Sequence, residues 1–307
     1  MTASNSILDL PTRNELHKFT SFEHCVAGII YALLGCFVFA TCGICMILLT
    51  RQSPKPRRKY AILIHILITA MAVNGGFAAH ASSSIAGRWL YGSIGCQLMG
   101  FWGFFAGMSH IWLLFAFGME RYVAVCHREF YNQMPSIYYT VIIALMYIFG
   151  TFWATMPLLG WGTYGLEVHG TSCTINYSLS DESYQSFIFF LAVFSFVFPM
   201  ISGWYAVTKA WSSLSSIPDA EKEKDKDILS EEQLTAIAGI FILISMISWS
   251  GFGYVAIYSA ITHAGASLSH LAGHMAPLMS KTGCALFPIL IFIATARTLP
   301  KIDTKKP

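Results

Sequence analysis

The sequence predicts an all-α membrane protein, a bundle of seven helices, on three observations. Its 307 residues are 55% hydrophobic and 11% charged, with a mean hydropathy of +0.57, far from the balance of a water-soluble domain. Stretches without Asp, Glu, Lys or Arg run over 24–50, 60–87, 89–119, 130–166, 183–208 and 233–280, with a shorter one at 282–296. Each of the first six exceeds the roughly 20 apolar residues that cross a bilayer, and the polar, small-residue stretch 262–270 divides the longest in two. The third observation is the asymmetry of positive charge. Of the 19 Lys and Arg residues, 15 fall on one side of a seven-span alternation and only Arg13, Lys18 and Arg88 on the other, while Lys281 lies inside the last span. The basic side is the cytoplasmic one. Aqueous enzyme folds, nucleic-acid binding and single-pass receptors are excluded by this pattern.

Taken in order, residues 1–23 form an N-terminal segment outside the cell or in a lumen, with no apolar run fit to be a cleavable signal peptide. The first helix, over 24–50, therefore serves as its own insertion signal. The second, 60–82, follows the basic cluster between Arg51 and Lys59. The third spans 93–126 and carries Glu120-Arg121-Tyr122 near its end. A fourth at 137–159 and a fifth at 184–210 follow, the fifth interrupted by Pro199. The sign-alternating stretch from Asp219 to Asp227 reads as a solvated loop, the sixth helix as 231–260, and the seventh as 274–297 with Lys281 and Pro288 inside it. The bundle thus covers 24–297, and 298–307 is a short cytoplasmic tail, with no Cys and a single Ser or Thr after Lys301.

Lys281 points to the chemistry. A lysine inside a span costs about 2.5 to 3.5 kcal/mol on insertion scales, which makes a functional role its default reading. It lies about 10 Å by helical rise from His274 and about 24 Å from Arg297, too deep to reach the cytoplasmic interface. A neutral amine, the form that a low-dielectric site favours, is a nucleophile for an aldehyde, so imine formation is its natural chemistry.

Ser280-Lys281-Thr282, Glu120-Arg121-Tyr122, Cys96 with Cys173, and Trp249 together resemble the opsins, members of the rhodopsin-type seven-helix receptors. The segments Arg51–Lys59 and Trp161–Cys173 resemble one branch of them, the cephalopod-type retinal photoisomerases, and the likeness covers nearly the whole chain. It implies covalent all-trans-retinal held on Lys281 as a protonated Schiff base, light-driven conversion to 11-cis-retinal for supply to a visual pigment, and a Cys96–Cys173 disulfide between the third helix and the following outer loop. Both cysteines fall on the oxidising side. The other six, Cys25, Cys36, Cys42, Cys45, Cys126 and Cys284, read as packed free thiols. With no ligand spacing of Cys and His, no metal is expected.

A protonated imine in an apolar site needs an anion nearby. Met99 occupies the third-helix position where some opsins carry a glutamate. Glu120 lies about 36 Å down that helix from Cys96. The acids at 129, 219–232 and 303 are cytoplasmic, and Asp9, Glu15 and Glu23 belong to the N-terminal segment, which leaves Glu167, Asp181 and Glu182. Glu167 stands six residues before Cys173, in a loop that the implied disulfide would pin over the bundle, at the loop position that serves as counterion in the resembled branch. The resemblance further assigns Trp249, Gly107, Ser172, Tyr177 and Phe196 to the retinal pocket, with Gly107 leaving room for the ionone ring. His65, His80 and His110 show no partner pattern and read as packing residues.

Departures from signalling opsins decide between two functions. The positions of their polar relay read Met71, Val207, Gly251 and Phe287-Pro288-Ile289-Leu290-Ile291, apolar where those receptors carry an acid, a Tyr, a Pro and an Asn-Pro-x-x-Tyr motif. Glu231, eighteen residues before Trp249, is placed to pair with Arg121 and hold the cytoplasmic end shut. The expectation is a light-driven isomerase in internal membranes of photoreceptor cells, surrounded by lipid, handing product to water or to a retinal-carrier protein, and coupling little to G proteins. The alternative is a signalling opsin with an atypical relay.

Overall fold

A computed structural model describes residues 20–51, 59–167, 169–177, 181–216, 228–262 and 270–296. Most of the N-terminal segment, the stretch 219–227, the stretch 263–269 and the tail from 297 lie outside them. Among the described residues seven helices are long and apolar enough to cross a membrane. They are α1 (Ser21–Arg51), α2 (Ala61–Ile85), α3 (Gly92–Cys126), α4 (Ser136–Leu159), α5 (Glu182–Ser215), α6 (Glu231–Thr262) and α7 (His270–Ala296). In hydrocarbon every backbone polar group needs an internal partner, which is why the spans are helical.

The boundaries differ from expectation where capping side chains move them. Thr20 and Glu23 form a reciprocal capping box, Glu23 Oε2 accepting from Thr20 N at 2.7 Å and Thr20 Oγ1 accepting from Glu23 N at 3.2 Å, so α1 starts at Ser21 rather than 24. Ser230 and Gln233 form a like box ahead of α6, which starts at Glu231 as expected. α5 begins two residues early because Asp181 caps it, accepting from Tyr184 N at 2.9 Å. Ahead of Pro199, which has no N–H to donate, α5 runs through a π-helical segment, Leu191–Val197. α2 is interrupted at Gly75–Gly76 and resumes at Phe77.

α3 is the central strut, packed against α2, α4, α5 and α6, while α1 closes the ring against α2 and α7. The outer faces carry apolar side chains such as Leu33, Ile148 and Ile247, a surface suited to lipid. At one end, Arg121 on α3 is fully buried and donates to Glu231 on α6 at 2.8 Å and to Glu120 at 2.8 Å, as the position of Glu231 leads one to expect. Lys59 joins Glu231 at 3.1 Å. At the other end, Cys96 on α3 is bonded to Cys173, with Cα atoms 5.3 Å apart.

That disulfide anchors a feature absent from the sequence reading, an antiparallel hairpin of β1 (Tyr164–Leu166) and β2 (Cys173–Ile175), in register Tyr164↔Ile175 and Leu166↔Cys173. Gln97 Nε2 on α3 donates to Tyr164 O at 3.1 Å, and Tyr164 Oη donates to Ala154 O on α4 at 2.8 Å. The hairpin is thereby held across α3 and α4 and roofs the bundle.

Candidate functional site

Beneath the hairpin lies a cavity of about 410 Å³, bounded by α2, α3, α5, α6 and α7. Its walls are mostly apolar, and among its described lining residues Lys281 from α7 brings an amine and Glu167 from the hairpin loop a carboxyl.

Lys281 is 8% exposed, and its Nζ donates to Val73 O at 3.2 Å. The acceptor exists because α2 is broken. The turn at Gly75–Gly76 interrupts the helical ladder, and the carbonyls before it take further partners: Ala72 O accepts from Gly75 N at 2.9 Å and from Trp102 Nε1 at 2.8 Å, and Val73 O takes the lysine. A helix interruption around an intramembrane charge is tolerated where the backbone lines a cavity.

Glu167 is delivered by the turn between the strands. Glu167 N donates to Ser172 O at 2.9 Å, Gly170 N donates to Glu167 O at 2.8 Å, and the chain reverses at Gly170, whose φ of +71° suits glycine. Trp89 N donates to Gly170 O at 2.9 Å and ties the turn to the start of α3. The Glu167 side chain is consequently buried, 7% exposed, and its Oε2 lies 3.3 Å from His169 Nε2. Burial pushes the carboxyl up to about 8, against the opposing pull of the Lys281 charge. Lys281 and Glu167 do not touch in a direct ion pair, so the lysine acts on the carboxylate through the field.

Because the folded-state value lies above the ordinary 4.5, the contribution of Glu167 to stability is full below about pH 4.5 and is lost as pH rises through about 8. The retinal-free protein should therefore lose several degrees of thermal stability in detergent across that window, and Glu167→Gln should flatten the profile. Parallel profiles of the two proteins would show that Glu167 ionises as an exposed acid does.

The other acids left open by the sequence fall away. Asp181 is exposed and occupied in capping α5, Glu182 is exposed in the first turn of the same helix, and neither lines the cavity. Met99, Ser172, Tyr177, Phe196 and Trp249 do line it. Phe196 is brought there by the π-helical segment of α5, which turns its neighbours Leu191, Ala192, Ser195 and Val197 to the same wall. Gly107 is placed differently from expectation. It stands behind Trp249, where a Cβ would come 2.4 Å from the indole Cη2, so the indole takes the space that the missing side chain leaves.

His80 requires a correction. It is a wall residue of the cavity, its Nδ1 3.0 Å from Ser172 Oγ, and not a packing residue without a partner. His65 and His110 also have partners, Tyr147 Oη at 3.1 Å and Thr69 Oγ1 at 3.0 Å. The sequence conceals the His80 contact because Ser172 lies 92 residues away. His169 and His274, which the sequence reading does not single out, stack beside Glu167 with ring centroids 3.8 Å apart. Among the described residues no group of three His, Cys, Asp or Glu side chains is placed to hold a metal ion.

An apolar cavity that holds an amine, with a buried carboxylate within its field, suits a hydrophobic aldehyde. Its volume is within the range of small-molecule sites. Glu167 Oε2 makes no aligned hydrogen bond among the described residues, and a buried carboxylate so placed calls for a cation.

Comparison with known proteins agrees with this geometry. Residues 42–291 match the family of seven-transmembrane receptors of the rhodopsin type. The chain is 79% identical to retinochrome of Todarodes pacificus over 297 residues, covering 97% of this chain and 99% of that protein. It is 24% identical to the human visual pigment-like receptor peropsin over 282 residues, 91% of this chain and 83% of the relative. The crystal structure of squid rhodopsin superimposes with a TM-score of 0.80 at 19% identity, over 96% of this chain and 89% of the other, a likeness of fold.

Proposed function

The chain belongs to the rhodopsin family of seven-transmembrane receptors, a multi-pass membrane fold, and on that premise we propose that it is a retinal-binding photopigment working as a light-driven isomerase. The observation that carries this reading is the meeting of Lys281 and Glu167 in one apolar cavity. The 79% identity to retinochrome along the whole chain supports it.

Lys281 would hold all-trans-retinal through an imine, and Glu167 would supply the negative charge that keeps the imine protonated. When bound, retinal supplies light absorption and rotation about a double bond. The chain's own residues supply the selectivity. Trp249, fixed against Gly107, and Ser172, fixed by His80, are walls that oppose rotation at the wrong bond. The aldehyde end is shielded from bulk water by the hairpin, and 11-cis product leaves by hydrolysis, to a carrier protein or directly to a visual pigment.

The packing of α6 against α7 supports silence toward G proteins. Phe287 stacks on Phe241 at 4.0 Å and on His110 at 5.2 Å, both fully buried, where a signalling receptor needs polar, water-binding side chains. Val207 and Ile291 are buried as well, and Arg121 remains paired with Glu231. An outward swing of α6 would break this apolar stack and gain no polar partner. The distribution of basic residues supports an N-terminus outside the cell or in a lumen, and supply of chromophore to a visual pigment suits internal photoreceptor membranes.

Retinal extracted before and after illumination should change from all-trans to 11-cis. The same reconstituted pigment should give little or no light-dependent nucleotide exchange on a G protein. Robust exchange, or 11-cis in the dark and all-trans in the light, would establish the signalling alternative instead.

A further inference from the structure

Three histidines from three separate segments lead from Glu167 toward the disulfide end of the bundle. His169, on the hairpin loop, places Nε2 at 3.3 Å from Glu167 Oε2. Its ring stacks on that of His274 on α7, with centroids 3.8 Å apart and planes inclined by 28°. His274 meets His24 of α1 edge-on, with centroids 6.2 Å apart. His169 and His274 are buried, whereas His24 is partly exposed. His274 also lines a second cavity of about 240 Å³ between α1 and α7, together with Tyr31, Met275 and Glu23, which is exposed at its rim. A column of imidazoles therefore separates a surface cavity from the buried carboxylate of the retinal site. Packing alone would be served by apolar rings, since buried imidazoles carry polar nitrogens that cost free energy to desolvate.

We propose that the column His169–His274–His24 is a proton path between the aqueous phase and Glu167, so that the charge state of the counterion follows the pH on that side of the membrane. The inference rests on the counterion reading of Glu167. In each transfer inward, His169 accepts a proton at Nδ1 from the His274 side and gives one from Nε2 to Glu167 Oε2. The imidazole ends neutral as the other tautomer, and rotation of one ring, or water in the second cavity, brings the stacked nitrogens into line. The titratable groups that face Glu167 are Lys281 from α7, Tyr31 from α1, Tyr177 from its own loop, and His80 from α2 through Ser172. α3 presents Met99 to the cavity, and α6 presents Trp249 and the phenol of Tyr254. A path of this kind gives the isomerase control over release, because protonating Glu167 removes the charge that favours the protonated imine, and hydrolysis of the imine depends on that protonation state.

The test is a rapid pH jump from about pH 6 to about pH 8, across the histidine range, on the retinal-loaded pigment, following the visible and near-ultraviolet bands. In His169→Ala the spectral relaxation should slow by about 10²-fold, the scale of a lost proton-transfer group, with the end spectra unchanged and the rate restored by added imidazole. His274→Phe, which keeps an aromatic ring in the stack, should slow it likewise and serves if His169→Ala forms no pigment. An unaltered rate in the variant that forms pigment would overturn the proposal, as would a slowed rate with displaced end spectra that imidazole does not restore. Glu167→Gln in the same apparatus separates this from the counterion reading. If its spectrum matches the parent at both ends of the jump, that reading fails; if its spectrum changes while the histidine variants relax normally, only the path fails.

Discussion

Lys281→Ala protein, reconstituted with all-trans-retinal, is expected to show no visible absorption band at all. The expectation comes from the absence of a substitute: among the described residues that line the cavity, Lys281 is the one Lys or Arg. Non-covalent retinal absorbs in the near ultraviolet, so loss of the imine removes the entire signal. Folding should survive, because the substitution deletes a buried cation whose amine is held by the single contact to Val73 O, and removing a buried charge relieves a desolvation penalty. Correct insertion can be checked by the retained Cys96–Cys173 bond. Borohydride reduction of the parent pigment should trap retinal on the peptide that contains Lys281. A visible band in Lys281→Ala, or an adduct on another lysine, would overturn the assignment.

Glu167→Gln should keep the pigment but move its absorption into the near ultraviolet at neutral pH. A unit negative charge within several ångströms, at an effective dielectric of about 20, is worth about 2 to 4 kcal/mol to a nearby cation. The midpoint of the visible band's pH titration should accordingly fall by about two units. The direction follows from charge: glutamine preserves the shape and the hydrogen-bonding turn but leaves the positive imine without a counter-charge in the cavity. Asp181 and Glu182 cannot replace it, being exposed on α5 away from the cavity. An unchanged visible band from about pH 6 to about pH 9 would mean that another anion neutralises the imine.

The number of spans, the apolar exterior and the intramembrane position of Lys281 were legible in the linear chain because each is a one-dimensional property. A span is a run without charge, and a charge within it is conspicuous against about 20 apolar neighbours. The Arg121–Glu231 pair was equally legible, since both sit at helix ends whose depth follows from counting residues. The starts of α1 and α5 moved by a few residues because the caps at Thr20 and Asp181 extend the helical backbone past the apolar run.

Only the tertiary structure decided which acid faces Lys281. Three loop acids satisfied the sequence equally until the resemblance favoured one, because charge and position do not state which way a loop folds. The hairpin turns Glu167 inward through main-chain bonds to Ser172 and Gly170, and spends Asp181 on a helix cap. The same holds for His80, which meets Ser172 across 92 residues, for Gly107, whose missing side chain is filled by Trp249, and for the histidine column, drawn from α1, the hairpin loop and α7. Helical periodicity constrains neighbours within a turn or two, whereas these contacts depend on the relative rotation and depth of separate helices, which packing alone sets.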